Sequence, residues 1–245
     1  DYLCKLNNIL SDSNKFLEIS KDPTLDIKRR ANKIIGSLLR NNSSINIKQI
    51  IGDFSPGYIY CNVKTHKPGN PLRPIISQCP TPTFALSKFL VALLSPYCSC
   101  QHAVRSSFEF VALIRSNRHI TGVMGSLDVT NLFTNVPVDT TIAIILENVY
   151  HNATLSPPTV PESSMLQLLL LCTKELPFKH PDGRLFRQID GVAMGSPLGP
   201  LFADFYMSHL ENRVFDAINK PTLYARYVDD IFVIARDTTH FEELR

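Results

Sequence analysis

Apolar positions change their period several times along the chain, and those changes mark out the elements. From Lys28 to Arg40, Ile34, Ile35, Leu38 and Leu39 share one helical face. Asn41-Asn42-Ser43-Ser44 ends that helix, and Ser55-Pro56-Gly57 forms a turn. Tyr58 to Lys64 and Leu72 to Ser77 are rich in strand formers and flank the breakers His66-Lys67-Pro68-Gly69-Asn70-Pro71. This predicts a β-hairpin with a basic tip. Phe84 to Tyr97 and Phe108 to Asn117 predict helices, and Val123 to Val129 a strand that carries Asp128 near its end. Val138 to His151 follows Pro137 as a helix, Thr154 to Pro161 is a loop, and Glu162 to Glu175 is a strongly apolar helix. Pro181-Asp182-Gly183 within Pro177 to Gln188 signals a second hairpin. Gly191 to Pro200 is a glycine- and proline-punctuated loop that feeds a helix from about Leu201 to Phe215. Thr222 to Ala235 predicts two strands that bend at Asp229-Asp230.

Strands and helices are mixed, and closely spaced strand pairs imply antiparallel pairing. The fold class is therefore α+β and not a doubly wound parallel sheet. Residues 1–57 are polar, Asn/Ser/Lys-rich and weakly periodic, and are expected to form a partly helical N-terminal extension. The chain starts at Asp1 and stops at Arg245 in what looks like the opening of a helix, so it reads as an internal fragment. No apolar run reaches transmembrane length, and no membrane partner is expected.

Composition narrows the classes. Hydrophobic residues make up 44% of the 245 and charged residues 19%, a globular balance that argues against wholesale disorder. A net charge of +3 permits nucleic-acid binding without requiring it, so a local basic groove matters more than the total. The six cysteines include no Cys-x-x-Cys pair. Cys98-Ser-Cys100-Gln-His102 has the wrong spacing for the common zinc arrangements, and free thiols are the better reading.

Chemistry concentrates at a few positions. Asp229 and Asp230 sit between apolar strand segments, where burying two adjacent carboxylates is costly unless a cation neutralises them. The same pair at a bend is also compatible with a plain solvated turn. Asp128 adds a third carboxylate at the end of another apolar strand. Two divalent ions about 4 Å apart need carboxylates that reach both, and three aspartates from two adjacent strands can supply them. Mg²⁺ suits an all-oxygen ligand set, with Mn²⁺ the alternative. Lys64, Lys67 and Arg73 lie on the basic hairpin; arginine forks onto phosphate oxygens and lysine adds a point charge. Gly191 and Gly195 allow backbone to come close to a ligand. Taken alone, Phe133 reads as a core phenylalanine.

Together these pieces resemble the reverse transcriptases, and in particular those of Penelope-like retroelements. The resemblance covers about residues 58–240. Asp128-Val-Thr-Asn-Leu-Phe133 is similar to the first palm motif of that family, and Gly191-Val-Ala-Met-Gly195-Ser196-Pro197 to the next, with Met194 where many relatives have glutamine. Arg226-Tyr227-Val-Asp229-Asp230 is similar to the acidic motif, and Lys64 to Ser77 resembles the fingers hairpin of Penelope-like polymerases and telomerase.

The resemblance implies a right-hand polymerase fold, with fingers over 58–120 and an antiparallel palm sheet backed by helices over 121–245, the thumb lying beyond the fragment. It implies RNA-directed DNA synthesis, with an RNA template, a DNA primer and deoxynucleoside triphosphates as partners. Asp128, Asp229, Asp230 and the Val129 carbonyl would hold two metal ions. Lys64, Arg73, Phe133, Gln188 and Gly195 would contact the nucleotide, with Phe133 excluding the 2′-hydroxyl. Gly191, Ser196, Pro197 and Tyr227 would meet template and primer. Nuclear action follows from the family's use of chromosomal ends or nicks as primers. The competing readings are an inactive nucleic-acid-binding remnant and a telomerase-like host polymerase.

Overall fold

A computed structural model describes residues 1–42, 45–151 and 155–245. Ser43-Ser44 of the expected helix stop, and Thr154 of the expected loop, lie outside the described residues. In chain order the described elements are α1 (Tyr2–Leu10), β1 (Phe16–Ile19), α2 (Thr24–Asn41), β2 (Gly57–Val63), β3 (Leu72–Ser77), α3 (Phe84–Leu94), α4 (Ser107–Ser116), β4 (Val123–Asp128), α5 (Leu132–Asn135), α6 (Val138–Leu146), α7 (Glu162–Cys172), β5 (Pro177–Lys179), β6 (Leu185–Gln188), α8 (Gly199–Ala217), β7 (Leu223–Tyr227), β8 (Asp230–Ala235) and α9 (Thr238–Glu243). A 3₁₀ turn extends α3 over Ser95–Tyr97, and a π-helical turn extends α6 over Glu147–His151.

The chain forms two compact units, each assembled from separate stretches: 1–97 with 133–202, and 98–132 with 203–245. These units do not follow the linear division at residues 57 and 120, because strands distant in sequence pair with one another.

The first unit is built on a sheet in the order β1-β6-β5-β2-β3. Its pairings are antiparallel except β2 with β5, which run parallel from Gly57 opposite Phe178. Strand alternation sets the faces: Ile59 points into the core while Tyr58 and Tyr60 point out. Ile59, Ile76, Phe178 and Phe186 form one cluster with Leu6, Leu10 and Phe16. The N-terminal segment thus joins the sheet: β1 pairs with β6 from Phe16 opposite Gln188. Four residues are too few to reveal a period of two, which is why the sequence reads there as weakly ordered. Helix α2 buries Ile27, Ala31, Ile35 and Leu38, a stripe at helical spacing. An Arg30–Glu175 ion pair fixes it beside the end of α7, whose Met165, Leu168, Leu169, Leu171 and Cys172 are buried.

The second unit holds the antiparallel sheet β4-β8-β7. Its central strand β8 buries Ile231, Val233, Ile234 and Ala235. Phe110 of α4 meets Phe232 edge-on at 5.3 Å. Gly125 of β4 leaves room for the Phe241 ring of α9, since a Cβ there would stand 2.1 Å from it. Arg226 of β7 has no solvent exposure. Its Nε donates to Glu211 Oε1 at 2.5 Å, and its Nη1 to Asp204 Oδ1 and to the Val228 carbonyl, each at 3.2 Å. Burial opposes the charge, but Glu211 and Asp204 outweigh it and hold the guanidinium pKa above its ordinary value.

Removing one partner of a buried ion pair leaves the other uncompensated. Arg226→Ala should therefore destabilise the second unit by about 3–5 kcal/mol in urea denaturation. A double variant, Arg226→Met with Glu211→Leu, should recover most of that loss, because no buried charge is then stranded: Asp204, the other partner, is 39% exposed and keeps water.

Candidate active site

In the second unit, the register of the three strands brings candidate residues into a row. Asp128 ends β4 opposite Asp230, which begins β8, and Asp230 is opposite Tyr227 at the end of β7. Residues directly opposite on antiparallel strands project from the same face, with Cβ atoms about 4.5–5.5 Å apart. Asp128 and Asp230 are exposed and Asp229 is half-buried. The desolvation argued from the apolar flanks does not apply to the row, since both carboxylates sit at strand ends, where solvent reaches them.

The turn between Tyr227 and Asp230 has only two residues. Val228 adopts φ +57°, a left-handed conformation that a β-branched side chain disfavours. Two bonds hold it there. Arg226 Nη1 donates to the Val228 carbonyl at 3.2 Å, and the Val129 N–H donates to the Asp229 carbonyl at 3.0 Å. Asp229 therefore occupies the turn, one position off the row. The donor set suits a hard divalent cation by chemistry, as carboxylate oxygens from adjacent strands. Among the described residues, however, no group of three or more Asp, Glu, His or Cys side chains is arranged to hold a metal ion. A cavity of about 400 Å³ adjoins the row, lined by Tyr227, Asp230, Ser126, Ala225, Phe232 and Phe110 among others.

The Cys98–His102 segment forms no metal cluster either. The His102 ring packs edge-on against Phe215 at 5.2 Å and Tyr224 at 5.5 Å.

The first unit carries a cleft of about 550 Å³, lined among others by Arg73, Lys88, Phe133, Met194, Gly195 and Pro197. Arg73 and Lys88 are its charged lining residues, and no carboxylate lines it, so the cleft is cationic. Lys88 escaped the sequence reading, although a lone lysine within the apolar Phe84–Leu94 helix was a usable signal. Arg73 is exposed, so its charge pays no burial penalty. Lys64 is half-buried at the end of the hairpin strand, and its N–H donates to the Pro71 carbonyl.

The glycine loop is fastened to the basic hairpin. The Ile76 N–H donates to the Met194 carbonyl at 2.7 Å. Gly195 has φ +108°, and a Cβ there would stand 2.5 Å from the Ile76 carbonyl oxygen. The loop also frames Phe133. The Val192 N–H donates to the Phe133 carbonyl at 2.8 Å, and a Cβ on Gly199 would touch the Phe133 ring. Gly191, at φ +72°, lies so close to the Thr134 carbonyl that a Cβ would approach it to 2.7 Å. Gln188 is buried, its Nε2 donating to the Asp190 carbonyl at 3.0 Å, so its amide props the loop. Ser196 is buried, and its hydroxyl accepts from the Leu198 N–H at 3.3 Å. Tyr227 is 49% exposed.

Residues 65–245 match the family described as reverse transcriptase (RNA-dependent DNA polymerase). The chain belongs to that family. Among solved structures it resembles a telomerase of Candida albicans in complex with the TWJ fragment of telomeric RNA. The TM-score is 0.65 and the identity 13%, over 99% of this chain and 43% of that one. It also resembles an apo telomerase of Candida tropicalis truncated from its C-terminal domain, with TM-score 0.54 and 18% identity over 88% and 50% of the two chains. At such identities the likeness is one of fold: an α+β polymerase fold of the reverse transcriptase and telomerase type. The chain spans half or less of the telomerases it resembles. No curated relative matches it.

Gly195→Ala should force the loop away from β3, since both the positive φ and the Ile76 backbone oppose a side chain. A loss of about 1–3 kcal/mol is expected, read as a lower urea midpoint at unchanged m-value.

Proposed function

We propose that this chain is the fingers-and-palm portion of an RNA-directed DNA polymerase of a Penelope-like retroelement, which joins deoxynucleotides to a primer 3′-hydroxyl with the help of two divalent ions. The observation that carries this reading is the facing pair Asp128 and Asp230, set on one row beside a turn that holds Asp229. Asp128, Asp229 and Asp230, with the Val129 carbonyl, would hold the ions, preferably Mg²⁺, and substrate phosphate oxygens would complete their coordination. Bound there, the ions would lower the pKa of the primer hydroxyl and neutralise charge on the triphosphate.

The chain's own residues would do the positioning. The cationic cleft suits a triphosphate, with Arg73 and Lys88 supplying donors and Lys64 a further charge from the hairpin. Phe133, half-buried at that cleft, would stand against the sugar and exclude a 2′-hydroxyl. Gly195, whose lack of a side chain leaves the backbone bare, would let a base pair approach. Gln188 would act through the loop it props. Gly191, Ser196, Pro197 and Tyr227 would meet template and primer. Support for the Penelope-like subtype comes from Met194 in the glycine loop and from the string Asp128 to Pro137. Action in the nucleus, on chromosomal primers, belongs to the same reading.

Single-nucleotide extension of a DNA primer on an RNA template tests it. Mg²⁺-dependent addition is expected, with a loss of at least about 10²–10³-fold in Asp229→Ala and an unchanged circular dichroism spectrum. Undiminished incorporation by that variant would sink the assignment. Phe133→Ala should raise ribonucleotide use relative to deoxynucleotide use by about 10-fold or more. Unchanged sugar selectivity would remove the gate role while leaving the polymerase reading intact.

A further inference from the structure

Cys98 and Cys100 flank Ser99 at the start of the second unit, and their sulfurs lie 3.2 Å apart. Both side chains are half-buried. The closeness is imposed by the backbone. The Cys100 N–H donates to the Cys98 carbonyl at 3.0 Å, which folds the segment back on itself. Just beyond, the chain is pinned to β7: the Arg226 N–H donates to the His102 carbonyl and the Val104 N–H to the Arg226 carbonyl, both at 2.8 Å. From α8, the Ser208 hydroxyl donates to Cys100 Sγ at 3.7 Å.

The two sulfurs are not equivalent. The hydrogen bond from Cys98 brings the Cys100 pKa down to about 7, against the opposing effects of burial and the Asp204 carboxylate. Ser208 and Arg226 act in the same direction as Cys98. The same sulfur–sulfur bond, then burial, pushes the Cys98 thiol well up. A thiol with a pKa near 7 is about half ionised at neutral pH, where an ordinary thiol is only a few per cent ionised. The remaining cysteines serve as internal controls. Cys4 and Cys79 are exposed, burial raises Cys61, and Cys172 is fully buried with its thiol pushed up to about 12.

We propose that Cys98 and Cys100 form a thiol–disulfide exchange site that closes an intrachain disulfide on meeting a small dialkyl disulfide of the glutathione type. The Cys100 thiolate attacks one sulfur of the oxidant. The oxidant's S–S bond breaks, and one thiolate leaves and takes up a proton. The Cys98 sulfur then gives up its proton and attacks Cys100 Sγ, displacing the second small thiolate, which is protonated in turn. Two protein thiols are oxidised to one disulfide, and the oxidant is reduced to two thiols. The sulfurs need close only from 3.2 Å to the bonded separation of about 2.05 Å. A ring with a single intervening residue is strained, and strained disulfides are readily reduced, so the bond is reversible.

The test is incubation of the intact protein with glutathione disulfide at pH 7, acid quenching, alkylation and peptide mass analysis. The expected product is a peptide carrying Cys98 and Cys100 joined and lacking two hydrogens, restored by dithiothreitol. In Cys98→Ser, which removes the resolving sulfur but leaves a hydroxyl that can still donate to Cys100, glutathione should stay on Cys100 and should add there about 3-fold or more faster than to an ordinary thiol such as Cys4 or Cys79. In Cys100→Ser, Cys98 should stay unmodified over that time. Adducts on Cys4 or Cys79 before Cys100, or a disulfide joining any other pair, would overturn the proposal. Should a serine variant fail to fold, the wild-type protein decides by competition with iodoacetamide at pH 7. Cys100 labelled ahead of the exposed cysteines supports the site, and labelling no faster than theirs overturns it.

Discussion

Arg226 is a cation with no solvent exposure, two residues before the turn that leads into the acidic pair. Burying a guanidinium is tolerable only where carboxylates and carbonyls replace its water. Here the replacements come from two directions. Glu211 and Asp204 reach in from α8, and the Val228 carbonyl reaches back from the turn itself. The charge therefore has to be neutralised from the helix, and the Nη1 bond to the Val228 carbonyl constrains the turn. The left-handed Val228 follows from this: a conformation that a β-branched residue avoids is over-determined by a bond from inside the unit. The position of Asp229 in the turn, and the alignment of Asp230 with Asp128, depend on that clamp.

The first unit solves a related problem with glycine instead of charge. Its cleft needs a loop lying directly on β3, and the Ile76 carbonyl leaves no space for a side chain on Gly195. The same loop presses on the backbone after Phe133 through Gly191. Lys15 adds a hold from the N-terminal side, its ammonium donating to the Thr134 carbonyl and to Asn135 Oδ1. Aromatic ring, loop and hairpin are thus locked to one another by main-chain contacts. That rigidity is what the proposed selection of sugars by size would require.

Local signals carried much of this fold. The breakers between Lys64 and Pro71 announced the β2–β3 hairpin, the Asp182-Gly183 turn announced β5–β6, and the strand formers around Asp229 announced β7–β8. Non-local facts were illegible. The parallel pairing of β2 with β5 joins segments on either side of several helices, and no period within either strand encodes it. Burial was misjudged for the carboxylates, because neighbours in sequence were apolar while the strand ends emerge into solvent. Arg226 is the converse case, a residue whose complete burial left no mark in its own strand. Its signature lay elsewhere, in Asp204 and Glu211, seven residues apart and therefore on one face of α8.

The pairing of Phe16 with Gln188 also sets a timetable for synthesis. Strand β1 leaves the ribosome long before β6 exists, so until then it is an unpaired apolar edge. Its partner arrives only after α2, the basic hairpin, α3, β4 and α7 have all emerged. Contacts of such sequence separation close late and slowly. A nascent chain halted before Gln188 would therefore expose Phe16 and the cluster it completes to other chains. Any shortened version of this protein that ends upstream of β6 is, on these grounds, a candidate for aggregation.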